Sequence, residues 1–421
     1  MEIIIHRGSN QIGGSCVELR SKTKAILLDI GLPLDWEDQN TEEIHPKIPG
    51  IFKNDSNLPS VDAIIISHPH LDHYGLIEDI KETIPIYIGE SGWRIISAAL
   101  PFLGKDVLSD KSISFFTNEK MFEIVGFQIT PYLMDHSAFD AYAFHVTDGE
   151  KSIIYTGDFR NHGRKKKMYT RFLQQVPKQV DALIMEGTTL SRKPGRKGFS
   201  EQEVEKQVVE NCLKTDNLVF GYCSSQNIDR LVSFYRAAKK LKRTFVIDIY
   251  TAHVLLAASK SGNTIPVPGK FQDVLVYYPY KLCKKVTNNN SAELLYYFKK
   301  YKITKEEIGE KRDKLFMLVR PSVQKELELI NQLNGSVLIY SLWEGYLESS
   351  YVDDFMKWLT EKDVIIKRIH SSGHADYDTL KELVNTIKPK ALIPIHTIAS
   401  EKYSDLYSNV KLCMDGQKLS I

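Results

Sequence analysis

The sequence predicts an α/β protein in two parts, a strand-rich unit and a second unit built on a mostly parallel sheet with helical crossovers. Three observations carry this reading. The first half is a succession of short β-branched apolar runs closed by turn residues, such as VDAIII over residues 61–66. From residue 217 onward, strand-like runs alternate with segments whose apolar residues recur every three or four positions. The length of 421 residues exceeds one ordinary core, so two domains are expected.

Composition narrows the class. With 43% apolar and 26% charged residues the chain reads as globular. No run approaches the roughly 18 apolar residues of a membrane span, and MEIIIHRGS lacks the basic start of a signal peptide. A cytoplasmic protein with no membrane partner is expected. Cys16, Cys212, Cys223, Cys283 and Cys413 are scattered without CxxC spacing, which argues against a disulfide framework or a thiolate metal site and for reduced, buried thiols. The net charge of +2 announces no nucleic-acid partner. Only the clusters Arg164–Lys167, Arg192–Lys197 and Lys239–Arg243 could track a phosphate backbone, and the last also suits a helix C-terminus.

In chain order, MEIIIHRG, SCVELRS and AILLDIG read as three strands, with Asp29 at the end of the third. VDAIII is the next, and it delivers Ser67-His68-Pro69-His70-Leu71-Asp72-His73-Tyr74-Gly75. Three imidazoles and a carboxylate within six residues are a metal-ligand density, and a loop after a buried strand is aimed rigidly. His68 and His70 reach one ion, while Asp72 and His73 reach a second; two metals about 3.5–4 Å apart would clamp the attacking and leaving oxygens of a hydrolysis. IPIYIG, ISFFT, FEIVGFQITPYL and AYAFHVTD continue the strands, with a helix between Gly89 and Gly104. His136 follows one strand, Asp158 ends SIIYTGDF, and Glu186 ends the strand in VDALIMEGTTL.

The basic SRKPGRKG segment, Ser191–Gly198, marks a junction, and Ser200-Glu201-Gln202-Glu203 has capping-box form for a helix through Val209. NLVFGYC, TFVIDIY, DVLVYY, LFMLVR and SVLIYS then read as strands, and DRLVSFYRAAKKLKR, AELLYYFKKY, SVQKELELINQL and YVDDFMKWLTEK as helices. The final part, VIIKRIHSSGHAD, DTLKELVNTI and ALIPIHT, carries His374 and His396. The remaining His6, His45, His145, His162 and His253 read as structural or surface residues.

The HPHLDH stretch resembles the signature of the metallo-β-lactamase superfamily. Asp135-His136, Gly157-Asp158, Glu186-Gly187-Thr188-Thr189, Ser371 to Asp376 and Pro394-Ile395-His396-Thr397 fall in the order of its β-CASP nuclease branch, and the whole chain is similar to the ribonuclease J family. The resemblance implies an αββα sandwich over residues 1–195 and 355–421, interrupted by a β-CASP α/β domain over 196–354, with a cleft between them. It implies His68, His70 and His136 on one Zn2+, Asp72, His73 and His396 on another, and Asp158 bridging; Mn2+ suits the same ligand types. Asp29 would orient ligands without touching metal. Asp72, Glu186 and His374 are the implied catalytic residues, with Glu186 holding the His374 imidazole protonated as a general acid. Ser224, Ser225, Asn227, Arg230, His370, Ser372 and Gly373 are the implied contacts to substrate phosphates, at a strand-to-helix junction and a turn; helix capping competes for Ser225 and Asn227. His396 goes with RNA-directed members, where DNA-directed ones carry valine. The implied activity is hydrolysis of single-stranded RNA, 5′-exonucleolytic or internal, in RNA processing or decay, by a possible homodimer. The sequence ends 25 residues after His396, without the family's C-terminal domain, which leaves dimerisation open. Two other readings are a hydrolase of DNA or a small ester or thioester on the same core, and a non-catalytic RNA-binding subunit.

Overall fold

The structure is a computed structural model that describes residues 1–36, 41–106, 108–192, 198–261, 264–330 and 332–421. The chain divides into two units. The first comprises Met1–Trp93, Leu108–Lys197 and Gly373–Ile421; the second comprises Arg94–Val107 and Gly198–Ser372.

The strands of the first half are β1 (Glu2–Arg7), β2 (Cys16–Ser21), β3 (Lys24–Leu28), β4 (Ala63–Ile65), β5 (Ile86–Gly89), β6 (Ile113–Phe116), β7 (Phe122–Ile124), β8 (Phe127–Leu133), β9 (Tyr142–Thr147), β10 (Ser152–Tyr155) and β11 (Ala182–Glu186). Six follow in the second unit: β12 (Val219–Tyr222), β13 (Thr244–Asp248), β14 (Val274–Tyr277), β15 (Leu315–Leu318), β16 (Val337–Tyr340) and β17 (Ile365–Arg368). The first unit regains β18 (Ala391–Ile395) and β19 (Lys418–Ser420).

The first unit is a sandwich of two sheets, ordered β19-β1-β2-β3-β4-β5-β6 and β18-β11-β10-β9-β8-β7. The period of two along each strand sorts side chains between layers. Ile3, Ile5, Val17 and Leu19 of one sheet meet Phe144, Ile153, Ile184 and Ile393 of the other in a common core. The alternate residues Ile154, Leu183, Met185 and Leu392 point the other way, onto Tyr169 and Phe172 of helix Lys166–Gln175 and Leu380, Leu383 and Val384 of helix Tyr377–Ile387. This is the layered α/β fold with an insertion that the sequence predicts. Because β10, β11 and β18 are parallel neighbours, their C-terminal ends lie on one edge. β8 pairs antiparallel with β9, which pairs antiparallel with β10, so β8 ends there too. That edge presents His136, Asp158, Glu186 and His396.

The second unit is a six-stranded, wholly parallel sheet, β14-β13-β15-β12-β16-β17. Ser200 and Glu203 form the expected capping box, and their helix runs Glu201–Cys212. Three expectations need correction. The return to the first unit falls at Gly373, because β17 pairs in register with β16, Val337 against Ile365, and so extends the parallel sheet beyond residue 355. The earlier junction at 195/196 lies outside the described residues. AELLYYFKKY forms only a short helix, Leu294–Tyr297, and a 3-10 turn, Lys299–Tyr301. Its apolar residues run consecutively, so they offer no stripe to bury, and Phe298 alone of Leu294–Phe298 is buried. SVQKELELINQL buries Val323, Leu327, Ile330 and Leu333 as its spacing implies. Its regular helix nevertheless stops at Leu327, after which Leu329 and Ile330 bond three residues back, as in a 3-10 turn. Cys16, Cys212 and Cys223 are buried free thiols, while Cys283 and Cys413 are half-buried.

Candidate metal centre

The loop after β4 is fixed by one carboxylate. Asp29, at the end of β3 with φ of 62°, sits in the left-handed region that aspartate tolerates better than most residues. Its Oδ1 accepts from the Ser67 backbone N–H at 2.6 Å, and its Oδ2 from Ser67 Oγ at 2.7 Å, Tyr155 Oη at 2.6 Å and His73 Nδ1 at 2.7 Å. Helix Leu71–Tyr74 then sets Asp72 and His73 side by side. Gly31 permits its approach: a Cβ there would lie 1.8 Å from the Asp72 carbonyl oxygen. Gly31→Ala is expected to cost about 1–3 kcal/mol of stability, read from denaturant unfolding, and to lower metal uptake as the Asp72 segment shifts.

The histidines are oriented from behind. His68 Nδ1 lies 3.0 Å from Ser67 Oγ, and His136 Nδ1 donates to the Gly373 carbonyl at 2.6 Å. His396 Nδ1 donates to Thr188 Oγ1 at 2.9 Å, whose own proton goes to the His396 carbonyl. With Nδ1 so engaged, each Nε2 faces inward with a free lone pair. His68 Nε2, His73 Nε2 and both Asp158 oxygens are buried with no hydrogen-bond partner. They converge: Asp158 Oδ2 stands 3.2 Å from His73 Nε2 and 3.8 Å from His68 Nε2. His136 Nε2 lies 3.2 Å from His70 Nδ1, and His396 Nε2 lies 3.1 Å from Asp72 Oδ2. The donor atoms of His68, His70 and His136 form one group, and those of Asp72, His73, Asp158 and His396 a second, all within 4.8 Å of one another in each. Buried imidazole and carboxylate atoms aimed at one another without hydrogens to share fit divalent cations.

Electrostatics agrees with that fit. Burial pushes His68 and His136 well below the usual imidazole range and His70 down to about 4, so all three are neutral donors. Burial opposes charge on His73 as well, but Asp158, Asp29 and Asp72 around it prevail and raise it. Burial would raise Asp158, yet His396, His73 and His374 hold it well below the carboxylate range. The Asp72 carboxyl is likewise lowered, His73 and His396 outweighing burial.

Beside the second group lies the Glu186–His374 pair, His374 Nδ1 being 3.4 Å from Glu186 Oε1 and 3.7 Å from Asp158 Oδ2. Burial alone would lower His374; Glu186 and then Asp158 raise it. Glu186 is positioned by backbone N–H groups of Thr188 at 3.0 Å, Ala375 at 3.3 Å and Phe159 at 3.5 Å. All nine residues read from sequence as ligands or catalytic groups, and Asp29, therefore gather in the first unit.

Several supports were not foreseen. Thr188, Tyr155 and Ser67 orient ligands or the Asp29 carboxylate; Ser67 and Thr188 lie within motifs that give them no role, and no spacing singles out Tyr155. The His136 loop is tied by Asp135, which accepts from the Gly163 N–H at 2.7 Å beside buried Arg160, and by Lys165, whose Nζ donates to the Ala138 and Phe139 carbonyls. Lys165 and buried Arg243, which donates to the Asn217 and Leu315 carbonyls, thus belong to the structure more than to a phosphate track. Residues 193–197 of the Arg192–Lys197 cluster lie outside the described residues. His6, His45 and His253 have structural partners in Glu18, Asp79 and the Leu294 carbonyl.

The implied phosphate contacts fare differently. Arg230 is fully buried and spends its guanidinium on Glu201, at 3.0 and 3.2 Å, and on the Ser341 and Ser371 carbonyls. It is a core ion pair of the second unit, which corrects its reading as a phosphate ligand. Asn227 caps helix Ile228–Lys240 through the Arg230 N–H, and buried Ser225 bonds Thr251 and Arg320, so capping and packing account for both. Gly373 supplies the carbonyl that orients His136. Ser224 accepts from the Gln226 N–H and is exposed, His370 Nδ1 donates to the Ser341 carbonyl at 3.2 Å, and Ser372 is half-buried. Arg230→Met should cost about 3–5 kcal/mol in chemical unfolding by stranding the Glu201 charge, with metal content unchanged.

Asp29→Asn preserves volume but replaces an oxygen acceptor shared by several donors. It is expected to weaken metal affinity about 10- to 100-fold in a competition titration.

Residues 10–187 match the metallo-beta-lactamase superfamily, and residues 364–403 match the Zn-dependent metallo-hydrolase RNA specificity domain. The chain is 26% identical to an RNase J-like protein of Methanocaldococcus jannaschii, over 95% of this chain and 93% of that one. It is 23% identical to ribonuclease J2 of Bacillus subtilis, over 94% of this chain and 69% of the relative. A crystal structure of a protein of unknown function from Enterococcus faecalis V583 shares the fold, with a TM-score of 0.81, 21% identity and 99% of each chain covered.

Proposed function

We infer the function of this chain from its place in the metallo-β-lactamase superfamily, to whose β-CASP, ribonuclease J-like branch it belongs: it is a hydrolase acting on RNA. Our reading is a two-metal phosphodiesterase. The observation that supports it most is the set of inward-facing, unpartnered donor atoms, His68 Nε2, His73 Nε2 and the Asp158 oxygens, beside the Glu186–His374 pair.

His68, His70 and His136 would hold one divalent ion, Asp72, His73 and His396 the other, with Asp158 shared. Bound there, zinc supplies Lewis acidity toward the phosphodiester and makes water a nucleophile near neutral pH; manganese fits the same donors. The protein's own part is orientation and proton transfer. Asp29, Thr188 and the Gly373 carbonyl engage Nδ1 of His73, His396 and His136, so that Nε2 is the nitrogen each ring turns inward. His374, held by Glu186 and partly open to solvent, delivers a proton to the departing ribose oxygen.

Neither other reading has an observation in its favour: a non-catalytic subunit needs no such ligand set, and a small-ester hydrolase needs no Glu186–His374 pair. No helix among the described residues is long and apolar enough to cross a membrane. A cytoplasmic location and a homodimer accompany the proposal, the latter checked by sedimentation. The test is cleavage of one RNA and its DNA counterpart, each with a 5′ monophosphate, a 5′ triphosphate or an internal label. Cleavage of RNA that stops on chelation and returns with zinc or manganese is expected. Mononucleotides from monophosphorylated RNA alone would establish 5′-exonuclease action, and internal fragments regardless of the 5′ group endonuclease action. Metal-loaded protein that cleaves neither polymer would overturn the proposal.

A further inference from the structure

The second unit carries a segment that hydrolysis leaves unexplained. Between Tyr280 and Lys302 the sequence holds six lysines against a single glutamate, in a chain whose net charge is only +2. Helix Tyr280–Asn288 buries Val286, and Leu282 and Cys283 are half-covered; Lys281, Lys284 and Lys285, at i, i+3 and i+4, share its exposed face. Tyr280 is 69% exposed, and from the next helical turn Tyr296 and Tyr297 are 69% and 62% exposed, with the exposed Lys299 and Lys300 directly after them. Tyrosine ordinarily buries its ring, and scattered lysines ordinarily make only a solvated face. Three largely exposed phenol rings flanking a lysine stripe, Tyr297 resting also against His253 and Phe298, are the combination that binds single-stranded nucleic acid, bases stacking on rings while ammonium groups track phosphates.

We propose that this Tyr/Lys face of the second unit is an accessory binding surface for single-stranded RNA, engaging stretches of a long substrate that the hydrolytic site does not hold. The charge excess selects a polyanion, and the exposed rings select one with unpaired bases over a duplex or an acidic protein. The proposal goes beyond the hydrolytic site and uses the RNA reading only to choose RNA over DNA.

The test uses the full chain with its metals and a fluorescent 20-nucleotide phosphorothioate RNA that resists cleavage, followed by anisotropy across a salt series. Tyr280→Ala/Tyr296→Ala/Tyr297→Ala is expected to weaken binding at least about tenfold. Lys281→Gln/Lys284→Gln/Lys285→Gln should reduce the salt slope by about 2, for three phosphate contacts on a single strand. Hydrolysis of a four-nucleotide RNA should stay within twofold in both variants. Should the tyrosine variant melt early, the lysine variant decides alone, since its side chains are on the surface. Binding of the 20-mer within twofold of the unaltered protein, with an unchanged salt slope, would overturn the proposal, as would weakened binding of a polyglutamate peptide with RNA binding intact. A parent protein that cleaves no RNA would sink the preceding functional reading while leaving this binding measurement valid.

Discussion

His73→Ala and Asp158→Asn are expected to remove metal and hydrolysis together, with activity falling beyond the roughly 10³-fold upper range for loss of a single transition-state donor. His73 stands in the middle of the centre: its Nδ1 is fixed by Asp29, its ring centroid is 3.9 Å from that of His68, and its Nε2 points at Asp158. Asp158 reaches both groups of donors, so the amide of Asn weakens both while leaving shape almost unchanged. The control that separates a metal effect from a folding effect is thermal melting with and without chelator. In the parent protein metal binds only the folded state, so chelation should lower the melting temperature. For both variants this difference should vanish. The metal-free Asp158→Asn protein should melt below the metal-free parent, because it loses the attraction of His396, His73 and His374 for the Asp158 carboxylate, but it should still unfold cooperatively. A variant that keeps its metals and its activity would remove the residue from the centre.

How much of this was legible follows from where the information sits. HPHLDH is local: a buried strand, a turn and a four-residue helix place its ligands, and every part is written within a dozen residues. His136, Asp158, Glu186 and His396 are single letters in sequence, recoverable only through the family's order of motifs. Their convergence depends on β8, β10, β11 and β18 running the same way in one sheet, a fact of topology that no window reveals. Strand periodicity located the sandwich core because alternation writes each face directly, as Leu183 and Met185 against Ala182 and Ile184 show.

Arg230 marks the opposite case. A basic residue in a strand-to-helix junction reads as a phosphate ligand until burial is known, and the partner that claims it, Glu201, is 29 residues away on another helix. The return point at residue 373 was misplaced for a related reason. β17, in VIIKRIHSSGHAD, looks in sequence like the start of the final part, and only the β16–β17 pairing assigns it to the second sheet.

His374→Ala is the second large effect, and its signature differs from that of the ligand variants. Metal content should be retained, because the hydrogen bonds that orient His73, His136 and His396, from Asp29, the Gly373 carbonyl and Thr188, do not involve the His374 side chain. RNA cleavage should slow by about 10²- to 10⁴-fold, the usual contribution of a positioned general acid. The discriminating measurement is the leaving group. Bis(4-nitrophenyl) phosphate releases a phenolate that departs without a proton, whereas a ribose alkoxide needs one. If His374 supplies that proton, the variant should lose far less on the activated diester than on RNA. Glu186→Gln should fall between, since it keeps the geometry of a hydrogen-bond acceptor on His374 but removes the charge that favours the imidazolium. Equal losses on both substrates would instead make His374 a positioning group for the phosphodiester, and full activity on RNA would remove it from the reaction.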